Sequence, residues 1–156
     1  MASTPGLKAL DAAGIAYQLH PYSYDASADA VGMAAAEALG IDPEVMLKTL
    51  MVEVDGKPAC CVLPANHQLS MKKVASAFGG KAATMMLPAK AERLTGYHVG
   101  GISPFGQKKL VPTVIEATAS GAERVWINAG ARGLLLSLPP QDAALALKAK
   151  FAAVIA

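Results

Sequence analysis

Lys48-Thr49-Leu50-Met51-Val52-Glu53-Val54-Asp55-Gly56-Lys57-Pro58-Ala59-Cys60-Cys61-Val62-Leu63 is the stretch on which the fold turns. Strand-forming residues run from Lys48 to Val54, Asp55-Gly56 supplies a two-residue turn of the kind that favours positive φ, and Pro58 to Leu63 runs back. A β-hairpin is therefore expected. Lys48 shares strand parity with Leu50, Val52 and Val54, whose side chains should point inward. A lysine heading such an apolar row either snorkels from the strand end to solvent or holds its ammonium in a pocket, and position alone leaves both open. Cys60 and Cys61 are adjacent, so they should face opposite sides of the strand and serve as buried packing residues rather than as a disulfide or a metal pair.

Upstream of the hairpin, Thr4-Pro5 reads as a cap and first helical position, Leu7 and Leu10 recur at helical spacing, and Gly14 closes the helix. Ile15, Tyr17 and Leu19 then alternate as a strand ending at Pro21. Asp29 is a candidate cap for a helix through Met33 to Leu39, and Asp42-Pro43-Glu44 for one further helical turn. Downstream, Ser70 caps a helix carrying Met71, Val74, Ala75 and Phe78, with Leu69 packing onto Val74 and Gly79-Gly80 ending it. A short strand at 84–86, a helix from Pro88 to about Leu94 and a strand from Tyr97 to Ile102 follow. Strands at 110–115, 124–128 and 133–138 and a last helix bearing Leu147, Phe151, Val154 and Ile155 complete the chain.

About eight short strands and five helices in irregular alternation argue against a doubly wound parallel sheet. They predict a mixed α+β fold: a curved, largely antiparallel or mixed sheet or barrel flanked by helices. The 156 residues, 53% hydrophobic, suit one domain spanning 1–156. Aromatic residues make up only 5%, so the core must be aliphatic and small. There is no charged segment followed by an apolar stretch at the start and no apolar run near the ~20 residues of a membrane span, which predicts a cytoplasmic protein without a membrane partner. His20, His67 and His98 lack metal-ligand spacing, and neither metal nor cofactor is expected. A formal charge of +2 excludes a protein that coats nucleic acid by bulk electrostatics, DNA included, and leaves room for contact with one RNA end.

Two loops draw attention. Gly100-Gly101-Ile102-Ser103-Pro104-Phe105-Gly106 is either a tight turn between strands or a loop that aims backbone N–H groups at a phosphate or an oxyanion. Ser103 is a poor nucleophile candidate: G-x-S-x-G is broken by one residue, and no His–carboxylate pair accompanies it. A small-ester hydrolase using Ser103 is thus a minor alternative. In Asn128-Ala129-Gly130-Ala131-Arg132-Gly133, Asn128 is a candidate donor to a carbonyl and Arg132 to a phosphate, and the same residues also fit an ordinary turn. Lys72, Lys73, Lys90, Arg93, Lys108 and Lys109 either form an RNA-facing rim or are simply solvated.

Taken in order, Thr4-Pro5, Leu19-His20-Pro21-Tyr22, Leu39-Gly40-Ile41-Asp42-Pro43, Lys48-Thr49-Leu50, Thr95-Gly96-Tyr97, Val99 through Pro104, Gly106-Gln107-Lys108-Lys109 and Arg132-Gly133-Leu134 resemble the YbaK/EbsC branch of the prolyl-tRNA editing family. The resemblance covers almost the whole chain. It implies a barrel-like mixed fold and a deacylase that cleaves the ester joining a non-cognate amino acid to tRNA, with cysteine on tRNA(Pro) the first candidate and alanine or another small residue the alternative. Lys48 matches the family's active-site lysine, Tyr22 a pocket tyrosine, and Gly100, Gly101, Ile102, Ser103 and Pro104 the loop receiving the aminoacyl end. The implied partners are mischarged tRNA and, secondarily, prolyl-tRNA synthetase.

In cysteine-specific members the resemblance implies attack by the substrate's own thiol, in others by water. A non-catalytic tRNA-binding module on the same fold is the competing reading. The sequence departs from the family where Ser-Gly-Gly-Lys-Arg-Gly-Leu and a following carboxylate are usual: here Asn128 to Leu134 is followed by Leu135. Val31 also stands where relatives often place an aromatic.

Overall fold

The computed structural model describes residues 3–23 and 31–156; the candidate cap Asp29 and the side chain of Val31 lie outside the described residues. The central hairpin pairs β2 (Leu47–Val54) with β3 (Lys57–Pro64) in antiparallel register, Lys48 opposite Leu63 and Val54 opposite Lys57. Asp55 and Gly56 both take positive φ, 51° and 79°, the geometry that matches the right-handed twist of the two strands.

Around this hairpin a five-stranded sheet runs in the order β4-β2-β3-β5-β8, with β4 at Ala83–Met85, β5 at Thr113–Glu116 and β8 at Lys150–Ala152. The pairings β2–β4 and β2–β3 are antiparallel, while β3–β5 and β5–β8 are parallel. A three-stranded antiparallel sheet, β1 (Gln18–Pro21), β7 (Leu134–Leu138) and β6 (Val125–Ala131), joins it through a bridge between Met46 and Trp126. The mixed, largely antiparallel architecture expected from the sequence is thus built in two linked sections.

Helices α1 (Pro5–Ala12), α2 (Val31–Leu39), α3 (Met71–Ala77), α4 (Pro88–Thr95) and α5 (Pro140–Leu147) flank the sheets. Thr4 and Ser70 cap α1 and α3 through bonds from Leu7 N and Lys73 N. The adjacent cysteines divide as alternation requires: Cys60 enters the main core with Leu47, Met51 and Ile115, and Cys61 enters the second core with Val52, Val54 and Val74. Both thiols are free, and burial pushes each up to about 12.

Two sequence expectations are corrected. The segment 97–102 is an irregular turn, not a strand, because its backbone groups are taken up by side chains rather than by a neighbouring strand. The last helix ends at Leu147, where Lys148 adopts φ 51°, and Phe151 belongs to β8. The spacing of Leu147, Phe151, Val154 and Ile155 imitates a helix, yet the tail is fixed by the buried Glu116 carboxylate, which accepts from Val154 N (2.9 Å) and Ile155 N (3.3 Å). A 3₁₀ turn at Ala117–Gly121 was not legible from the sequence.

Candidate active site

Strand β2 is paired along its full length on one edge, but on the other edge β4 covers only Val52 to Val54. Beside the uncovered part opens a cavity of about 480 Å³. Its walls come from β2, the α4 segment, the 99–102 turn and the β6–β7 pair, with Tyr22 at the end of β1 contributing a phenol. Lys48, Gly100, Ile102, Asn128 and Tyr22 all line it, so the structure brings together residues separated by as much as the distance from β1 to β6 in the chain.

Lys48 is half-buried, and its Nζ donates to Ala65 O at 3.3 Å. Among the described residues no carboxylate pairs with it. Burial alone therefore acts on the ammonium and holds its pKa below the usual lysine value. The remaining wall is apolar, including Met46, Met51, Met85 and Met86; its polar side chains are Tyr22, Lys48, Thr49 and Asn128. Thr49 Oγ1 is buried without a hydrogen-bond partner among the described residues. No serine, cysteine, histidine or carboxylate is among the described lining residues, and among the described residues no cluster of three His, Cys, Asp or Glu is disposed for a metal.

The 98–107 loop is held rigidly from behind. Tyr97, buried, donates to Phe105 O at 2.6 Å, and Gln107 Nε2 donates to Ser103 O at 3.0 Å. Within the turn Gly101 N donates to His98 O at 2.8 Å. Arg132 Nε and Nη2 both donate to Val99 O, at 3.0 and 2.9 Å, and Asn128 Nδ2 reaches Gly100 O at 3.4 Å while its Oδ1 accepts from Gly130 N at 2.6 Å.

These contacts revise several residue assignments. Gly101 is buried, its N–H is already used, and a Cβ there would meet Arg132 N at 2.9 Å; it is a packing glycine, not a wall donor. Ser103 is fully buried, with Oγ accepting from Phe105 N, and is not among the described residues that line the first cavity. Pro104 lines a second cavity behind the loop rather than the first. Arg132 is committed to Val99 O and is not among the described lining residues.

Of the six basic residues considered for a rim, Lys90 pairs with Glu53 at 2.7 Å and Lys73 donates to Ile155 O, while Lys90 and Arg93 share the wall-forming α4. Glu92 was not singled out in the sequence. Its Oε2 accepts from Val99 N at 2.9 Å, a contact that no spacing rule would have suggested.

A family model for the aminoacyl-tRNA editing domain matches residues 27–145. EbsC of Enterococcus faecalis, a proposed Cys-tRNA(Pro)/Cys-tRNA(Cys) deacylase, is 40% identical over 108 residues, which is 68% of this chain and 65% of EbsC. A proline–tRNA ligase of Geobacter metallireducens is 30% identical over 96 residues, 62% of this chain and 16% of the ligase. The match thus spans just under two thirds of EbsC and a small part of the ligase. Among solved structures, a proposed trans-editing enzyme for prolyl-tRNA synthetase superposes with a TM-score of 0.86 at 19% identity, covering 100% of this chain and 99% of the other. A hypothetical protein does so with a TM-score of 0.86 at 21% identity, over 98% of this chain and 100% of the other. At these identities the two structures bear on the fold alone.

Proposed function

The chain belongs to the aminoacyl-tRNA editing domain family, and on that premise we propose that it is a cytoplasmic trans-editing deacylase, one domain over 1–156, that removes a mischarged amino acid from tRNA. Cysteine on tRNA(Pro) is the first substrate, and prolyl-tRNA synthetase is the synthetase whose errors it clears. The observation that carries this reading is the meeting of Lys48 with Gly100 and Ile102 on one largely apolar cavity that offers no side-chain nucleophile or carboxylate base among its described lining residues.

An aminoacyl ester is already activated, so such a cavity needs only to orient it and to receive the charge that develops on its carbonyl oxygen. The N–H groups of Gly100 and Ile102 have no acceptor among the described residues and serve as the oxyanion donors. Lys48 holds a ribose or phosphate oxygen of the terminal nucleotide, and Tyr22 and Asn128 border the amino acid. The methionine walls give a polarisable, adaptable lining suited to a small thiol side chain.

With cysteine as the substrate, its sulfur forms a bond to the ester carbonyl carbon, the carbon–ribose oxygen bond breaks, and the thiol proton passes to the departing ribose hydroxyl. Cys-tRNA(Pro) and its S-methylated counterpart separate the nucleophiles. Ester loss from the first and none from the second is expected; equal cleavage of both assigns the attack to water, and binding without cleavage of either leaves a tRNA-binding module.

A further inference from the structure

The loop that carries Gly100 is gripped from two sides by opposite charges. Glu92, on α4, takes the N–H of Val99 at 2.9 Å, and Arg132, in the β6–β7 turn, presents two donors to the C=O of the same residue at 3.0 and 2.9 Å. The carbonyl of Val99 and the N–H of Gly100 belong to one peptide plane. This peptide is trans, so the two point in opposite directions. Fixing Val99 O on the guanidinium therefore fixes the direction of Gly100 N–H, away from Arg132.

A cation on the carbonyl oxygen also draws electrons through the amide and makes that N–H a stronger donor. Gly101 N to His98 O at 2.8 Å and Asn128 Nδ2 to Gly100 O at 3.4 Å prevent the plane from turning on its other flank. The Val99 amide, His98 Nδ1 at 3.5 Å and the charge of Arg132 keep the Glu92 carboxyl below its ordinary value, the amide first among them.

We infer that Arg132 and Glu92 are positioning residues of the deacylation site: together they orient the Val99–Gly100 peptide, and Arg132 polarises it, so that Gly100 N–H meets the oxyanion of the ester. This rests on the deacylase reading and departs from the sequence expectation that Arg132 holds a phosphate.

The test compares Arg132→Ala, Arg132→Lys, Glu92→Ala and the double alanine variant with the parent. Single-turnover deacylation of Cys-tRNA(Pro) at saturating protein is measured together with tRNA affinity at several salt concentrations. Arg132→Ala is expected to lose about 10- to 100-fold in rate, as misplacement of a reacting group does, with affinity and its salt dependence unchanged. Arg132→Lys should recover part of the loss, since one donor replaces a fork. The double variant should be within about threefold of Arg132→Ala, because residues acting on one element are not additive.

A parental rate in Arg132→Ala overturns the proposal. So does a loss confined to tRNA affinity with a salt slope shallower by about one, which is the behaviour of a phosphate contact. The amide resonance of Gly100 in the free protein supplies a readout without activity: it should move upfield in Arg132→Ala, and an unmoved resonance contradicts the polarised peptide. If the parent itself cleaves nothing, the deacylase reading fails while the Gly100 resonance still decides the clamp.

Discussion

Replacing Lys48 by methionine keeps most of the side chain's apolar stem and removes the ammonium. The structural cost is small. Among the described residues the ammonium has one partner, Ala65 O, at the long distance of 3.3 Å, and no carboxylate would be left unpaired. Losing one such bond costs about 1 kcal/mol, and relief of the ammonium's desolvation offsets part of that, so the net change in unfolding free energy should stay within about 1 kcal/mol of the parent.

The catalytic cost is larger, since without the ammonium's hold on the terminal ribose or phosphate oxygen the ester carbonyl is no longer kept against the Gly100 amide. A loss of about 10²–10³ in rate is expected, equivalent to about 3–4 kcal/mol. Lys48→Ala should behave alike, and Lys48→Arg should not fully rescue, because a longer planar group displaces the ester. Single-turnover deacylation run beside thermal unfolding separates the two effects. A well-folded Lys48→Met protein with near-parental activity would refute the role given to the charge.

Glu116 should make stability acid-sensitive. Burial pushes its carboxyl upward, but the amides of Thr118, Val154 and Ile155 outweigh that and hold it below the ordinary value of 4.5. A carboxylate whose folded pKa is depressed adds stability that is complete above pH 4.5 and is lost as pH falls through the folded value. Denaturant unfolding of Glu116→Gln should therefore show less loss below pH 4.5 than the parent, and Glu116→Ala should cost about 2–4 kcal/mol at pH 7 by stranding buried amides. Thr49→Val removes a hydroxyl that has no partner among the described residues and should stabilise the protein by about 1 kcal/mol; a decrease in thermal stability would show that the hydroxyl is already satisfied.

The hairpin, the Thr4 and Ser70 caps and the division of Cys60 from Cys61 were legible because each follows from local chemistry: turn preference, capping and strand alternation. The tail was not, because Phe151 joins β8 through parallel pairing with β5 and Val154 is fixed by Glu116, both distant in sequence. The 97–102 segment misled for a related reason. Its strand-like composition is overruled by side chains from α4, β6 and the β6–β7 turn that bind its peptide groups one by one. At the site, Lys48 was singled out by parity and resemblance, Tyr22 by resemblance and Asn128 by the chemistry of its turn, and all three line the cavity. Spacing alone could not show that Gly101, Ser103 and Pro104 turn away from the cavity while Gly100 and Ile102 face it.

The central claim is that the Lys48–Gly100 cavity destroys a mischarged ester. Single-turnover incubation of the parental protein with Cys-tRNA(Pro), Ala-tRNA(Pro) and Pro-tRNA(Pro) tests it most directly. Ester loss well above the protein-free rate for Cys-tRNA(Pro), with Pro-tRNA(Pro) spared, is the predicted result; tRNA binding with all three esters decaying at the protein-free rate would contradict it.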